Sequence, residues 1–468
     1  MRHERRQFQR LSAVALPLVL ALGALASCGS ETETEAAPMA TVVIRPPSTT
    51  APPPAAEPEG VGGSGEGTDG GEGASSRDVP VRVGADVLAA QGFAPLVGRR
   101  VGLITNASAR IDDRPVLQAL LDSPVDVVAV FAPEHGIEGL LPAGQLFEDG
   151  ETAEGMQVFS LYGSRRAPTV AQLAGVDVVV FDLQDVGVRA YTYLATMGMA
   201  MEAAAAAGVD FVVLDRPNPI GGELVSGHVR TPDQESFISQ YPVTGVHGMT
   251  AGEMALAIKG EGWRSGVADL TLDVVPVEGW QRTERWNDTG LVWHPPSPNL
   301  PSPESALIYP GLVLFEATQL SVGRGTAAPF TTVGGGWVDG VALAAAINDA
   351  GVAGVELAPT EFTPTSGAAA PNPPWENTTI TGVQITVTDE AAFRPIELAM
   401  HLLVALDAQA NANGTELIDR PAVFDLLAGT GALRAALDSG AGVDALVAAW
   451  EGDVATFRQL REPYLLYD

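Results

Sequence analysis

The residues best suited to acid–base chemistry in this 468-residue chain stand directly after four short apolar segments. They comprise carboxylates, amides, one histidine and one arginine, namely Asn106, Glu134, His135, Asp182, Gln184, Asp185, Asp215, Arg216 and Asn218. Carboxylates and imidazoles within hydrogen-bond reach of a substrate can act as general acids and bases. The set therefore predicts acid–base chemistry on a polar substrate that is either uncharged or anionic.

The same side chains have a simpler interpretation as helix caps and turn residues. Asp and Asn favour these positions because their oxygens accept hydrogen bonds from nearby backbone N–H groups. For any single residue the two interpretations are equally open. The recurrence of polar groups after four successive segments favours a shared cleft.

The elements that would position these groups alternate between strand and helix. Residues 99–106, 126–133, 177–183 and 210–215 are predicted strands, and residues 115–121, 169–175 and 193–207 are predicted helices. Strands that are apolar throughout indicate a parallel sheet covered on both faces, and ligands of such sheets bind at the carboxyl ends of the strands. We therefore expect an α/β, Rossmann-like parallel-sheet domain. The first strand lacks a following G-x-G-x-x-G pattern, so no dinucleotide cofactor is expected.

The second half of the chain contributes irregular segments with polar residues. His247 precedes a capping box formed by Thr250 and Glu253, and Asn299 lies in a proline-rich stretch at 294–301 that excludes helix and central strand. Arg324 stands between two glycines in the loop 316–330. Neither His247 nor His294 has zinc-ligand spacing to another His or Glu, so we expect no metal site, and no other cofactor is expected.

Charge and cysteine content exclude several classes of protein. The chain has 26 Lys+Arg against 57 Asp+Glu, a formal net charge of −31. This balance argues against binding to nucleic acid and against electrostatic docking onto anionic lipid. One cysteine excludes a disulfide framework and a cysteine-rich zinc site.

The N-terminus is interpreted as an export signal followed by a tether. Residues 1–27 combine a basic start with a short apolar run, and the only cysteine, Cys28, follows Leu-Ala-Ser as in a bacterial lipobox. This predicts lipidation of Cys28 and anchoring at the outer face of the bacterial cytoplasmic membrane; an ordinary secretory signal is the alternative. The Pro- and Gly-rich residues 28–78 are predicted to be a disordered tether.

Several long motifs carry a family resemblance. They are PEHGIEG at 133–139, SLYG at 160–163, FDLQDVGVRAYTY at 181–193, DRPNPIGG at 215–222, HGMTAGE at 247–253, YPGLVLFEAT at 309–318, GRGT at 323–326 and YLLY at 464–467. In this order they resemble the NamZ-type exo-β-N-acetylmuramidases, over roughly residues 80–468. This sequence departs from the family pattern at Ala317, Gln319, Thr331 and the GGGW turn at 334–337.

The resemblance implies a glycosidase that removes terminal N-acetylmuramic acid from the non-reducing ends of peptidoglycan fragments. It also implies a Rossmann-like catalytic domain, predicted at 79–235, and a mixed α/β C-terminal domain, predicted at 236–468, that completes the cleft. Glu134 matches the family's candidate catalytic carboxylate. A non-catalytic wall-binding lipoprotein is the alternative. A deacetylase or esterase is a third possibility that no G-x-S-x-G motif or zinc triad supports.

A glycosidase needs an acid for the leaving oxygen and a second group at the anomeric carbon. We assign the acid to Glu134 and the second carboxylate to Asp185 or Asp182, with Asp215 behind them. The substrate's own N-acetyl oxygen is the alternative to a second carboxylate. His135 either orients Glu134, binds a sugar hydroxyl or is a turn residue.

Recognition of muramic acid requires a local cation, because the sugar carries a lactyl carboxylate. Arginine suits bidentate binding of a carboxylate, and Arg189, Arg216 and Arg324 are the predicted candidates. Each could instead neutralise a neighbouring aspartate. Asn106, Gln184, Asn218, His247 and Asn299 are expected to line the substrate site.

Overall fold

The computed structural model describes residues 79–153 and 155–468, which belong to one compact unit. The predicted signal peptide at 1–27, the lipidation site Cys28 and the tether at 28–78 lie outside the described residues. No helix in the described part of the chain is long and apolar enough to cross a membrane.

The principal sheet has seven strands in the order β5-β6-β4-β1-β7-β8-β9. Its strands are β1 (Arg100–Thr105), β4 (Asp126–Ala132), β5 (Gly150–Glu151), β6 (Gln157–Ser160), β7 (Val178–Asp182), β8 (Asp210–Leu214) and β9 (Leu272–Val275). A hairpin of β2 (Arg110–Ile111) and β3 (Arg114–Pro115) follows β1. A three-stranded antiparallel sheet contains β10 (Thr332–Gly335), β11 (Val355–Phe362) and β12 (Ile380–Val387).

Six strands of the principal sheet are parallel, and only the short edge strand β5 is antiparallel. From β1 the chain adds β4 and β6 on one side and then β7, β8 and β9 on the other. This is the order of doubly wound dinucleotide-binding folds, whose topological switch point lies between the strands numbered here β1 and β7. The predicted Rossmann-like α/β sheet is therefore confirmed.

Burial on both faces explains why the strands are apolar throughout. All five residues of β7 are buried. Val179 and Phe181 pack into one core with α3, whereas Val178 and Val180 pack into the opposite core with α1 and α2. Side chains alternate across a strand, so a strand that is covered on both sides needs apolar residues at every position.

The twelve helices cover the principal sheet and build the C-terminal half. They are α1 (Gly84–Ala90), α2 (Val116–Leu121), α3 (Tyr193–Ala207), α4 (Ala251–Gly260), α5 (Trp286–Thr289), α6 (Pro303–Leu312), α7 (Gly340–Asp349), α8 (Pro395–Ala412), α9 (Pro421–Ala428), α10 (Ala432–Asp438), α11 (Val443–Ala448) and α12 (Glu451–Arg461) in the described residues. Short 3₁₀ helices occupy Pro232–Gln234, Val267–Asp269, Val313–Ala317 and Glu462–Tyr464.

One helix prediction differs from the structure. Residues 169–175 form successive turns instead of a helix, because Gly175 at φ +89° and the β7 strand behind it leave no room for more than one turn. In the C-terminal part of the chain, Ala449-Trp450 separates α11 from α12. The seventh sheet strand, β9, comes from beyond residue 236, and the proposed domain division at that position stays a prediction.

Candidate active site

An open cleft of about 580 Å³ lies over the carboxyl ends of β4 and β6. The loop before α3 and loops of the C-terminal half form its other walls. Its polar and aromatic lining comprises Glu134, His135, Tyr162, Tyr191, Thr192, Ser297, Tyr309, Glu316, Arg324, Phe330, Asn372 and Arg420. The cleft thus contains two carboxylates and two guanidinium groups among the described residues.

Glu134 is held in this cleft by two short hydrogen bonds. Its Oε1 accepts from the backbone N–H of Gly144 at 2.6 Å, and its Oε2 accepts from the hydroxyl of Thr192 at 2.6 Å. The residue follows β4 at a tight turn in which Gly136 N–H donates to the Pro133 carbonyl. Although Glu134 is only 6% exposed, it lines the cavity.

His135 lies beside Glu134 in the left-handed region, at φ +73°. A non-glycine residue rarely adopts this conformation, so the turn is strained in order to place two adjacent side chains in the cleft. Nδ1 of His135 is 2.7 Å from the carbonyl oxygen of Leu141. Burial lowers the pKa of His135, which leaves the imidazole neutral near pH 7. With Nδ1–H donating to Leu141, Nε2 is left as an acceptor.

Tyr162 adds a phenol that lines the same cleft and interacts with Glu134. Burial, followed by the negative charge of Glu134, raises the pKa of Tyr162 to about 12. The guanidinium of Arg166 lies 3.8 Å from the centroid of its ring and 4.7 Å from that of Phe237. The sequence analysis quoted the SLYG motif but did not assign Tyr162 to the site; its position directly after β6 was the available signal.

Glu316 and Arg324 face the same cleft as an ion pair. Nε of Arg324 is 2.5 Å from Oε1 of Glu316, and the guanidinium lies 4.9 Å from the Phe330 ring centroid. Glu316 belongs to the 3₁₀ helix Val313–Ala317 and was missed in the sequence analysis because it follows no strand. Arg420, which was also missed, donates a short hydrogen bond to the Glu316 carbonyl. Arg324 is the one predicted arginine that lines the cleft.

Asp182 and Arg216 form a buried ion pair outside the cleft. Nε and Nη2 of Arg216 donate to the two oxygens of Asp182 at 2.6 and 3.1 Å, and Nη2 also donates to the Arg110 carbonyl. Asp182 is fully buried and Arg216 is 6% exposed. The carboxylate of Asp182 and the guanidinium of Arg216 neutralise each other. This pairing argues against a catalytic role for Asp182 and against carboxylate binding by Arg216.

Asp185 and His247 meet in the interior, where neither lines the cleft. Oδ2 of Asp185 accepts from the Gly187 N–H at 2.7 Å and lies 3.9 Å from Nε2 of His247. Asp185 Oδ1 and His247 Nε2 have no hydrogen-bond partner among the described residues. Burial raises the pKa of Asp185 to about 7 and lowers that of His247 to about 3.

Asp215 caps the start of α4. Its oxygens accept hydrogen bonds from the Thr250 hydroxyl, the Gly252 N–H and the hydroxyl of Tyr467 near the C-terminus. Burial raises the pKa of Asp215 to about 6 in spite of these donors. Asn218 stabilises the same region, because its Nδ2 donates a hydrogen bond to the Met249 carbonyl at 3.1 Å. Here the helix-cap interpretation of the strand-end residues holds.

The other predicted binding residues support loops without lining the cleft. Asn106 donates to the Tyr193 hydroxyl at 2.7 Å, and that hydroxyl donates to the Pro296 carbonyl at 2.6 Å. Arg189 donates to three backbone carbonyls. Gln184 donates to the Asp185 and Pro217 carbonyls. Their amide and guanidinium groups are thus committed to the protein backbone or to a tyrosine.

Asn299 contributes indirectly. Its Nδ2 donates to the Ala369 carbonyl at 2.9 Å and so holds the loop 369–374, which forms one wall of the cleft. The positions that depart from the family pattern, Ala317, Gln319, Thr331 and 334–337, do not line the cleft. The departures therefore leave the cavity wall itself unchanged.

The geometry suits a polar ring that carries an anionic substituent. Tyr191, Tyr309 and Phe330 pack edge to face along one wall. Such rings can contact the apolar faces of a sugar, while Glu134 and the Arg324–Glu316 pair offer hydrogen bonds at its rim. In the described residues no group of three or more His, Cys, Asp or Glu side chains could hold a metal ion.

Family models match both halves of the chain. The N-terminal model of "Exo-beta-N-acetylmuramidase NamZ" matches residues 101–304, and its C-terminal model matches residues 307–467. The chain is also 37% identical over 398 residues to the peptidoglycan β-N-acetylmuramidase NamZ of Bacillus subtilis (strain 168). That match covers 83% of this chain and 91% of the relative.

Two crystal structures of DUF1343 family proteins from Bacteroides fragilis NCTC 9343 are similar to the whole described fold. The first has a TM-score of 0.74 and 33% identity, and the second has a TM-score of 0.69 and 30% identity. Each match covers 83% of this chain and 99% of the other.

Proposed function

This chain belongs to the NamZ family of exo-β-N-acetylmuramidases, and from that membership we infer that it is a glycoside hydrolase acting on peptidoglycan fragments. Its reaction is the release of terminal β-N-acetylmuramic acid from non-reducing ends. The single structural observation that supports this function is the position of Glu134. Hydrogen bonds from Gly144 and Thr192 hold its carboxylate in a cleft of sugar size. A non-catalytic binding protein is not favoured, because the homologous enzyme matches over most of both chains.

Glu134 is the proposed proton donor to the glycosidic oxygen. The hydroxyl of Thr192 can donate to the ionised carboxylate or accept from the protonated carboxyl group, so it supports Glu134 in both states of a catalytic cycle. The neutral His135 offers Nε2 as an acceptor for a sugar hydroxyl. These three side chains come from the β4 end and the loop before α3, which are rigidly joined by the Glu134–Thr192 hydrogen bond.

Glu316 is the proposed second carboxylate, in place of Asp182 or Asp185. Of the carboxylates in the described residues, only Glu134 and Glu316 line the cleft. Glu316 would stabilise positive charge at the anomeric carbon or activate water there. Attack by the substrate's N-acetyl oxygen remains the competing route, with Glu316 then orienting the amide.

Arg324 is the proposed partner of the lactyl carboxylate. Its Nε is engaged by Glu316, and the rest of the guanidinium faces the cleft beside Phe330. An arginine held by one carboxylate retains donors for a second, because the guanidinium group has five N–H bonds. The strongly acidic chain thereby offers a local cation to an acidic sugar.

The test uses purified protein with para-nitrophenyl N-acetylmuramide and with a MurNAc–GlcNAc disaccharide. We expect release of nitrophenol from the first and of free N-acetylmuramic acid from the second. Para-nitrophenyl N-acetylglucosaminide, which lacks the lactyl group, serves as the matched control and should react far more slowly. A folded protein that releases neither product would refute the hydrolase assignment.

We also propose that Cys28 is lipidated after removal of residues 1–27 and that residues 28–78 tether the enzyme to the outer face of the cytoplasmic membrane. The lipobox-like sequence supports this proposal. Mass spectrometry of the membrane fraction should detect a diacylglyceryl group on Cys28, and Cys28→Ser should abolish it. Recovery of an unmodified chain that begins at another residue would support the secretory alternative.

A further inference from the structure

A long loop between β11 and β12 forms part of the wall of the catalytic cleft. The two strands pair as far as Phe362 and Ile380, so the loop consists of residues 363–379. Hairpin strands are usually joined by about two to five residues, and loops longer than about 12–15 residues are usually functional or disordered. Residues 369–374 of this loop line the cleft. We call residues 363–379 the wall loop; its length and position indicate a role at the substrate site.

The wall loop is held in place at both ends. At its base the Pro364 carbonyl accepts a hydrogen bond from the Asn377 N–H at 2.8 Å. Near its end the Trp375 indole N–H donates to the Gln319 carbonyl at 2.7 Å. Three of the four residues 371–374 are prolines, whose rings fix the backbone angle φ. These restraints make the segment a fixed wall of the cleft and not a mobile lid.

The wall loop packs directly against the loop that carries Arg324. The Gly325 carbonyl accepts hydrogen bonds from the N–H and the hydroxyl of Thr365 at 2.9 and 3.1 Å. A Cβ on Gly325 would lie 2.5 Å from the Thr365 carbonyl oxygen and 3.0 Å from Cγ of Pro373, so no side chain fits between the two loops. The side chain of Arg324, which is 17% exposed, therefore lines the cleft next to the wall loop.

The chemistry of the substrate relates these two neighbours. In muramic acid the lactyl ether is attached to O3, and in a glycan chain the preceding sugar is attached to O4, on the adjacent ring carbon. A ring whose lactyl carboxylate binds Arg324 therefore presents O4 to the part of the cleft beside the Arg324 loop. The wall loop lies beside that loop, and its exposed residues Pro371, Asn372 and Pro374 line the cleft.

We propose, on the basis of the lactyl recognition assigned to Arg324, that the wall loop restricts this enzyme to the ends of glycan chains. The loop fills the space into which a sugar on O4 would extend, so a muramic acid residue reaches Glu134 only when its 4-hydroxyl group is free. The exclusion is steric, because residues 363–375 have no charged side chain. The leaving sugar is attached at C1, across the ring from O4, so a wall at O4 leaves room for it.

The test replaces residues 367–372 by two glycines. The Ser366 hydroxyl donates to the Pro371 carbonyl, so the ends of the removed segment are already close together. The substrates are para-nitrophenyl N-acetylmuramide and the same compound with a β-1,4-linked N-acetylglucosamine on O4. The wild-type enzyme should favour the first in kcat/KM by at least about 10²-fold, and the shortened loop should reduce this ratio by at least about tenfold. A general loss of activity cancels in the ratio.

Two further variants accompany the shortened loop. Pro371→Gly combined with Asn372→Gly trims the wall without shortening it, and it should lower the ratio in the same direction even if the shortened protein does not fold. Glu376→Gly is the matched control, because Glu376 is an exposed residue of the same loop that does not line the cleft. This variant should keep the wild-type ratio.

The outcomes separate this inference from the hydrolase assignment. A folded wild-type protein that releases no nitrophenol from either substrate would refute the hydrolase assignment itself. Wild-type activity with an unchanged ratio in the wall-loop variants, or equal wild-type turnover of both substrates, would overturn only the role of the wall loop. A changed preference between nitrophenol and N-acetylglucosamine as leaving groups, with selectivity at O4 retained, would place the loop at C1 and overturn it as well.

Discussion

An acidic residue lies at the carboxyl end of β4, and acidic residues also lie at the carboxyl ends of β7 and β8. These residues differ in whether they line the cleft. Glu134 after β4 faces an open cleft, whereas Asp182 and Asp215 after β7 and β8 are fully buried. The difference lies in the donors around them. Arg216 and the start of α4 supply donors to the two aspartates, while Glu134 accepts hydrogen bonds from Gly144 and Thr192 and lines the cavity.

This comparison shows that a carboxylate at a strand end is available for chemistry only when its neighbours leave it incompletely enclosed. A buried carboxylate that stays ionised must be paired or hydrogen-bonded, because desolvation disfavours its charge. Asp182 and Asp215 are therefore engaged within the fold, and Glu134 is the strand-end carboxylate that lines the cleft, as its proposed role requires. Four substitutions test this division between a reactive end and structural ends.

Glu134→Gln should have the largest effect. The amide retains the shape of the side chain and can still accept from Gly144, but it cannot transfer a proton. We expect kcat on para-nitrophenyl N-acetylmuramide to fall by about 10²–10⁴-fold, with the thermal unfolding midpoint nearly unchanged. A loss of less than about tenfold would move the acid role to another residue.

Asp182→Asn should instead damage stability. Removing the negative charge leaves the buried Arg216 guanidinium without its counter-ion, which costs about 3–5 kcal/mol of unfolding free energy. Urea denaturation measures this cost, and kcat of the folded fraction should stay within about twofold of wild type. Unchanged stability combined with a collapse of kcat would make Asp182 a catalytic residue after all.

Arg324→Ala should selectively reduce recognition of the lactyl group. A charge-assisted hydrogen bond contributes about 1.5–3 kcal/mol, so inhibition by free N-acetylmuramic acid should weaken by about tenfold or more, and inhibition by N-acetylglucosamine should change little. Arg114→Ala is the control, because it removes an arginine from an exposed ion pair with Asp122 away from the cleft. An equal loss for both sugars would reject the carboxylate assignment.

Asp185→Asn should have the smallest effect on activity, and its consequence should appear in the pH dependence of stability. Burial raises the folded-state pKa of Asp185 to about 7 from its ordinary 3.8. Between these values the folded protein retains a proton that the unfolded chain has released, so wild-type stability falls as pH rises through this window and levels off above it. Urea unfolding between pH 4 and 8 should show a shallower decline for the variant. Parallel curves would contradict the buried-carboxyl assignment.

The sequence analysis included the strand end that lines the cleft but could not separate it from the strand ends that do not. Glu134 and His135 line the cleft as expected, and Arg324 does so in the loop where the glycines suggested it. Asp185, His247 and Arg189 were expected in the same cleft, yet they are buried and do not line it. Their distance from the cavity depends on how α3 and the C-terminal helices pack, which no local pattern encodes.

Glu316, Tyr162 and Arg420 are residues that the sequence analysis failed to assign to the cleft. Each lines the cleft, but none belongs to the set of polar residues that the strand pattern singled out. Glu316 lies in a 3₁₀ helix that follows α6, and Arg420 precedes α9, so their side chains reach Glu134's cleft only because the C-terminal half folds back over the sheet. Sequence spacing cannot predict such long-range contacts.

The sequence by itself determined the parallel sheet, the strand ends at which chemistry would occur and the family resemblance. It could do so because apolar runs, turn residues and motifs are local properties that each strand or loop carries alone. Only the tertiary structure decided which carboxylates are paired and which of the predicted arginines lines the cleft. Those outcomes depend on the donors and charges that distant segments bring to each buried group, since desolvation makes every unmatched charge costly.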